Sequence, residues 1–140
     1  MNKYNLPLLL LVITLSIFIA CKKEDKNTDP LLTKTWKRAL KDKNTSTNPK
    51  GDILYQPISD CQKDDVYSFN ADGTFKIDNG TEKCEPTEQK TINGTYHTVN
   101  KEIIINGMKY TLAEASADQV KYYAPVAIGT GYAYVVFLLQ

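Results

Sequence analysis

The chain has 140 residues, with 17 Lys+Arg against 16 Asp+Glu and a formal net charge of +1. That balance, with no basic block or stripe, excludes the electrostatic footprint of a nucleic-acid binder. One His and three Cys, with no CxxC or HxxxH pair, leave too few ligands for a metal centre.

At the N-terminus Lys3 precedes a mostly apolar run, Leu6 to Ala20, interrupted by Pro7, Thr14 and Ser16. The run is shorter than the ~20 residues of a spanning helix. A basic flank, a short apolar core and a small residue at its end are the parts of a secretory signal peptide. The end of the run with the residue after it, "FIAC" (Phe18 to Cys21), resembles the lipobox of bacterial lipoproteins, with Phe18 where Leu is usual. The resemblance implies cleavage after Ala20 and acyl chains on Cys21. Each buried methylene contributes about 0.8 kcal/mol, and more than one chain makes the anchoring firm. The expected organisation is therefore a signal peptide over 1–20, an acylated Cys21 with a charged, solvated tether over 21–30, and a folded domain over 31–140. Loss of Lys3 with the leader leaves the mature chain neutral. Lys23-Glu24-Asp25 resembles the lysine-then-acid signal that sends some Bacteroidetes lipoproteins to the cell surface. The expected location is the cell envelope, on the outer membrane, facing the periplasm or the exterior.

Asp29 to Lys34 predicts a turn, and no stretch of ten or more residues keeps a capped helical period. The remaining signals are strands. "TKTWKRAL" comes first, and the polar stretch from Lys41 to Asp52 reads as a loop, either a plain surface connection or one at a cavity mouth. In "DDVYSF" and "TFKIDNG", Tyr67 and Phe69 face Phe75 and Ile77 across a turn at Asp72-Gly73. "KTINGTYHTV" follows, its Gly94 pointing to a bulge or bend. Asn106-Gly107 then joins "KEIII" to "MKYTLAE" as a tight hairpin. "DQVKYYAPVAI" and "GYAYVVFLL" complete the chain. Alternation places Tyr122 with Val120 and Ala124, and Tyr132 with Tyr134 and Val136, on matching faces. The last strand is apolar on both faces, as a strand covered inside by the core and outside by neighbouring chain would be. Eight short strands joined by hairpins predict an all-β, antiparallel up-and-down meander, and closure into a barrel would remove its edges.

Cys61 and Cys84 remain after the anchor. In an oxidising compartment a leftover pair forms a disulfide, whose loop contributes ~3 kcal/mol by the chain-entropy model. A metal pair is the alternative, and it lacks ligands.

"LLTKTW" (Leu31 to Trp36), "CQKDDVYSFNADGTFKIDNGTEKC" (Cys61 to Cys84) and "INGTYHTVNKEIIINGMKYTL" (Ile92 to Leu112) resemble the lipocalin-like lipoproteins of Bacteroidetes. The resemblance weakens after Ala113. It implies an eight-stranded calycin-type barrel with the two cysteines bonded. Lys34 stands where the family often has Gly, and the final strand has no Arg to stack on the Trp. Lys37 or Arg38 is therefore expected to cover the indole of Trp36.

No catalytic constellation emerges, and no enzyme activity or cofactor is expected. His97 is the sole His, no Gly-x-Ser-x-Gly elbow occurs, and the adjacent Asp64 and Asp65 point to opposite faces of a strand. Binding is the stronger class. Trp36, Tyr67, Phe69, Phe75, Tyr96, Tyr110, Tyr122, Tyr132 and Tyr134 either line an interior that holds a small hydrophobic ligand or fill it as core. A filled interior would instead leave the outer surface to dock a protein or glycan. The expected partners are such a ligand and the membrane, with the chain a monomer.

Overall fold

The computed structural model describes residues 29–140. The expected signal peptide, the lipobox-like stretch ending at Cys21 and most of the expected tether lie outside the described residues. Eight strands make one sheet: β1 (Ile53–Tyr55), β2 (Val66–Phe69), β3 (Thr74–Asp78), β4 (Thr91–Val99), β5 (Glu102–Ile105), β6 (Met108–Ala115), β7 (Val120–Pro125) and β8 (Tyr134–Leu139). Their order is β1-β8-β7-β6-β5-β4-β3-β2. From β2 to β8 each strand pairs antiparallel with the next. Local chemistry sets the turns. Asn100-Lys101 and Asn106-Gly107 all have positive φ, the backbone of the two-residue hairpin turn that matches strand twist. At the β2–β3 turn the Asp72 carboxylate accepts from the Thr74 N–H at 2.9 Å and its hydroxyl at 2.6 Å.

Two expectations are corrected. β1 runs parallel to β8, so the sheet is not a pure meander, and no ladder joins the edge strands β1 and β2 to close a barrel. "TKTWKRAL" forms isolated bridges rather than a strand, at Trp36–Tyr67 and Arg38–Leu139. This segment nevertheless spans the gap between β2 and β8. Trp36 and Tyr67 exchange hydrogen bonds of 2.8 and 2.7 Å, Lys37 and Gln140 exchange bonds of 2.9 and 2.8 Å, and the Ala39 N–H donates to Leu138 at 3.0 Å. The segment therefore runs antiparallel to β8. A chain that runs down β8 and then doubles back arrives in the direction of β8 itself, which is why β1 is parallel.

Directly opposed residues share a face, so the register identifies the inner one. Leu31, Trp36, Phe69, Phe75, Tyr96, Ile103, Val120, Tyr122 and Leu139 form one buried cluster. Contributions to one cluster from β2 at one end of the strand order and from β7 and β8 near the other require the sheet to curl round it. A 3-10 turn at Pro30–Leu32, capped by Asp29, seats Leu31. The Trp36 Nε1–H donates to the Leu31 carbonyl at 3.0 Å. Lys34, not Lys37 or Arg38, covers the indole, its Nζ 4.4 Å from the ring centroid. Arg38 is held instead by the 56–62 segment. Gly94 makes no bulge, because its register with Phe75 is regular. A Cβ there would collide with the Phe75 ring, which occupies the space above it. The register shift falls in β6, between Leu112 and Glu114.

The opposite face of β7 and β8 is buried too. Lys121, Val136 and Leu138 lie there, under the loop that follows Lys41, as the two-sided apolarity of the last strand predicts. The register pairs Tyr122 with Phe137 and Tyr123 with Val136. Tyr134 and Val136 therefore share the outer face with Tyr123, and the expected match of Tyr122 with Tyr134 is wrong by one residue. Cys61 and Cys84 are disulfide-bonded, with Cα atoms 5.1 Å apart.

Candidate functional site

The inner face is sealed at one end and open at the other. The β2–β3 and β4–β5 turns mark the sealed end; the β5–β6 turn and β7–β8 loop mark the open one. Along β2, Phe69 is buried and Tyr67 half-buried; along β3, Phe75 is buried and Ile77 half-buried. Tyr96 on β4 is buried, while Ile92 toward the open end is 39% exposed. Ile103 is covered more than Ile105, Val120 and Tyr122 more than Ala124, and Leu139 more than Phe137 or Val135. On β6 the gradient ends at Met108, 60% exposed. The same face that makes a core at one end is thus, at the other, an apolar surface only partly covered inside the curl of the sheet, the cup.

Of the aromatic side chains expected to line a ligand, Trp36, Phe69, Phe75 and Tyr96 fill the sealed core. Phe69 and Tyr96 meet edge to face at 4.8 Å. Tyr67, Tyr110 and Tyr122 stand where the core gives way to the cup. Tyr122 stacks on Phe137 at 5.0 Å, and Tyr110 meets both edge-on at 5.3 and 5.6 Å. Tyr134 lies on the outer face, 5.1 Å from Tyr123, and Tyr132 is exposed; neither reaches the cup. Ile77, Ile92, Ile105, Met108 and Phe137 do belong to it. The alternation that assigned Tyr67, Phe75 and Ile77 inward would have found Ile92, Ile105 and Met108 had it been extended along β4, β5 and β6; Phe137 was hidden by the misread parity of the last strand.

Polar groups enter the cup on the β2 side. Arg38 donates to the carbonyls of Gln56 and Pro57 at 3.2 and 3.0 Å and to Gln62 Oε1 at 3.3 Å. Asp65 is 5% exposed, and its Oδ1 has no hydrogen-bond partner among the described residues. Burial, then the charges of Glu88 and Asp64, push its pKa up, against smaller opposing pulls from a Gly80 backbone hydrogen bond and then from Arg38. Burial likewise raises the Tyr67 hydroxyl, and raises that of Tyr122 further, with Tyr67 and Tyr110 adding to the latter.

The outer face carries a second concavity, an open groove of about 520 Å³. Thr47, the β4–β5 turn, Glu102, the bulged part of β6 and Tyr123 surround it. Its Thr47 wall belongs to the loop expected to be either a plain connection or a cavity mouth. That loop is pinned by Lys121, whose side chain is fully buried and whose Nζ lies 2.8 Å from Asp42 Oδ2. Burial alone would raise the Asp42 pKa, but hydrogen bonds from Lys121, the Asn44 N–H, Gln119 and Tyr55 outweigh it and hold the value at about 2. An unfolded Asp titrates near 3.9. Because the folded value is the lower, this stabilisation is present above about pH 4 and is lost as pH falls toward 2, amounting to roughly 2 kcal/mol. Urea midpoints measured across that window are expected to fall, and Asp42→Asn is expected to flatten the decline; an unchanged slope in the variant would refute the assignment.

A smaller cleft of about 230 Å³ at the sealed end is bounded by Asp29, Leu32, Tyr96 and His97. His97 is exposed there, on the face opposite Tyr96. Among the described residues no group of three or more His, Cys, Asp or Glu is placed to hold a metal ion. No protein-family model, no curated protein and no solved structure matches the chain.

Proposed function

We propose that this is a lipid-anchored envelope protein that holds a small hydrophobic ligand, non-covalently, in the open end of its curled sheet. The strand-by-strand burial gradient on the inner face carries the reading, because a domain this small leaves apolar side chains half-covered on a concave face only at a real cost. The lipocalin-like resemblance of the sequence supports it, as does an open sheet that curls round a core sealed at the Trp36 end. The tether joins beside Asp29 at that sealed end. Capture and release need no catalytic group, and a monomer suffices. A second reading, docking of a glycan or protein on the outer face, draws on the 520 Å³ groove.

The test uses the chain from Asn27, which contains the whole sheet, core and disulfide. A neutral hydrophobic dye such as N-phenyl-1-naphthylamine is expected to brighten saturably, with one site per chain. Ile92→Glu, a charge at the exposed rim, is expected to weaken it about tenfold or more. A dye that stays dark, with a bare mass in the native spectrum, would instead favour the outer face.

A further inference from the structure

The register sets two polar residues opposite each other on the inner face. Trp36 bridges Tyr67 in antiparallel register. Two residues on from Trp36 comes Arg38, and two residues back from Tyr67 comes Asp65, so the same register sets Arg38 opposite Asp65 at the open side of the bridge. They form no ion pair. Arg38 spends its three hydrogen bonds on neutral oxygens of the 56–62 segment. Asp65, 95% covered, keeps one carboxylate oxygen without a donor. A buried acceptor left unpaired costs more than the bond it would make contributes, and here it lies on the inner face within electrostatic reach of the Arg38 guanidinium and the Tyr67 hydroxyl.

We propose that Asp65 and Arg38, with the hydroxyls of Tyr67 and Tyr122, form a head-group subsite that selects a hydrophobic ligand ending in a neutral hydroxyl. Such a group donates to Asp65 Oδ1 and accepts from Arg38 or a tyrosine hydroxyl, which satisfies both sides at once. A carboxylate head would face Asp65 with Asp64 and Glu88 behind it and could give the orphan oxygen no proton. An ammonium head would meet the charge of Arg38, which no carboxylate neutralises at contact distance. This inference rests on the cup being the ligand site.

The experiment holds the tail constant and varies the head. The chain from Asn27, saturated with N-phenyl-1-naphthylamine at pH 7.5, is titrated with dodecanol, dodecanoate and dodecylamine. Dodecanol is expected to displace the dye at concentrations about tenfold or more below dodecanoate, with dodecylamine also weaker. In Asp65→Asn, the ratio of dodecanol to dodecanoate affinity is expected to fall toward one; being a ratio within one protein, it is insensitive to how much of the variant is folded. Equal displacement by all three in the unaltered chain, or tightest binding of the acid or the amine, overturns the subsite while leaving the cup standing. Failure of all three, in a chain that also leaves the dye dark, overturns the cup and the subsite together.

Discussion

Replacing Lys121 with Met is expected to destabilise the protein by about 3–5 kcal/mol, the range for removing one partner of a buried ion pair. Lys121 is fully buried, and Met keeps most of its apolar stem while deleting the charge. The ammonium makes bonds of 2.8 Å to Asp42, 2.9 Å to Thr47 Oγ1 and 2.8 Å to Asn48 Oδ1, and it also holds the Asn44 carbonyl. Without it, Asp42 stays under the loop with donors from Asn44, Tyr55 and Gln119, and those do not neutralise a carboxylate that is 3% exposed. Denaturant unfolding at pH 7 gives the loss, and amide exchange across residues 42–48 should accelerate first. Adding Asp42→Asn should recover part of the stability, since the orphaned charge goes with it. A loss below about 1 kcal/mol would place the pair among ordinary surface ion pairs and remove the loop from the folding unit. Dye binding in the cup should be unaffected per folded molecule, because Lys121 faces outward from the sheet.

The contrast between this network and the cup explains what could be read from the sequence. Hairpins were legible where two short apolar runs flank a turn whose residues tolerate positive φ, as at Asn106-Gly107. The alternation of Tyr67, Phe69, Phe75 and Ile77 likewise named the inner face of β2 and β3 correctly. β1 was not legible. Only Ile53, Leu54 and Tyr55 separate Gly51-Asp52 from Gln56-Pro57, too few for a period, and their pairing depends on a loop that doubles back over β8. The parity of Tyr134 was hidden for a related reason: the connection from Val126 to Ala133 is too long to dictate register, and a slip of one residue exchanges faces. Lys121 looked like an ordinary outward lysine between Val120 and Tyr122, since its covering comes from residues more than seventy positions away. Asp65 and Arg38 belong to the same class. Each is unremarkable in its own segment, and only the Trp36–Tyr67 bridge sets them face to face.

Trp36→Ala is expected to cost about 3–5 kcal/mol, in the range of deleting a large aromatic ring from a core. The side chain is fully buried, and three separate functions meet in it. Its ring fills the sealed end between Leu31 and the inner-face residues of the curled sheet. Its Nε1–H satisfies the Leu31 carbonyl, which holds the turn capped by Asp29 against the core. Its backbone forms the bridge to β2, where the sheet has no ladder of its own. Trp36→Phe separates the first two contributions, since it restores most of the apolar volume but not the donor, and the backbone bridge is available to both variants. It should cost about 1–3 kcal/mol, the penalty for a buried carbonyl left unpaired. Trp36 is the only Trp, so circular dichroism rather than intrinsic fluorescence must follow the unfolding. If the gap-spanning segment belongs to the cooperative unit, both variants keep a single transition and shift its midpoint. If it is an appendage, Trp36→Ala leaves the midpoint within about 1 kcal/mol of the parent, and the sheet is then an open one whose cup owes nothing to its sealed end.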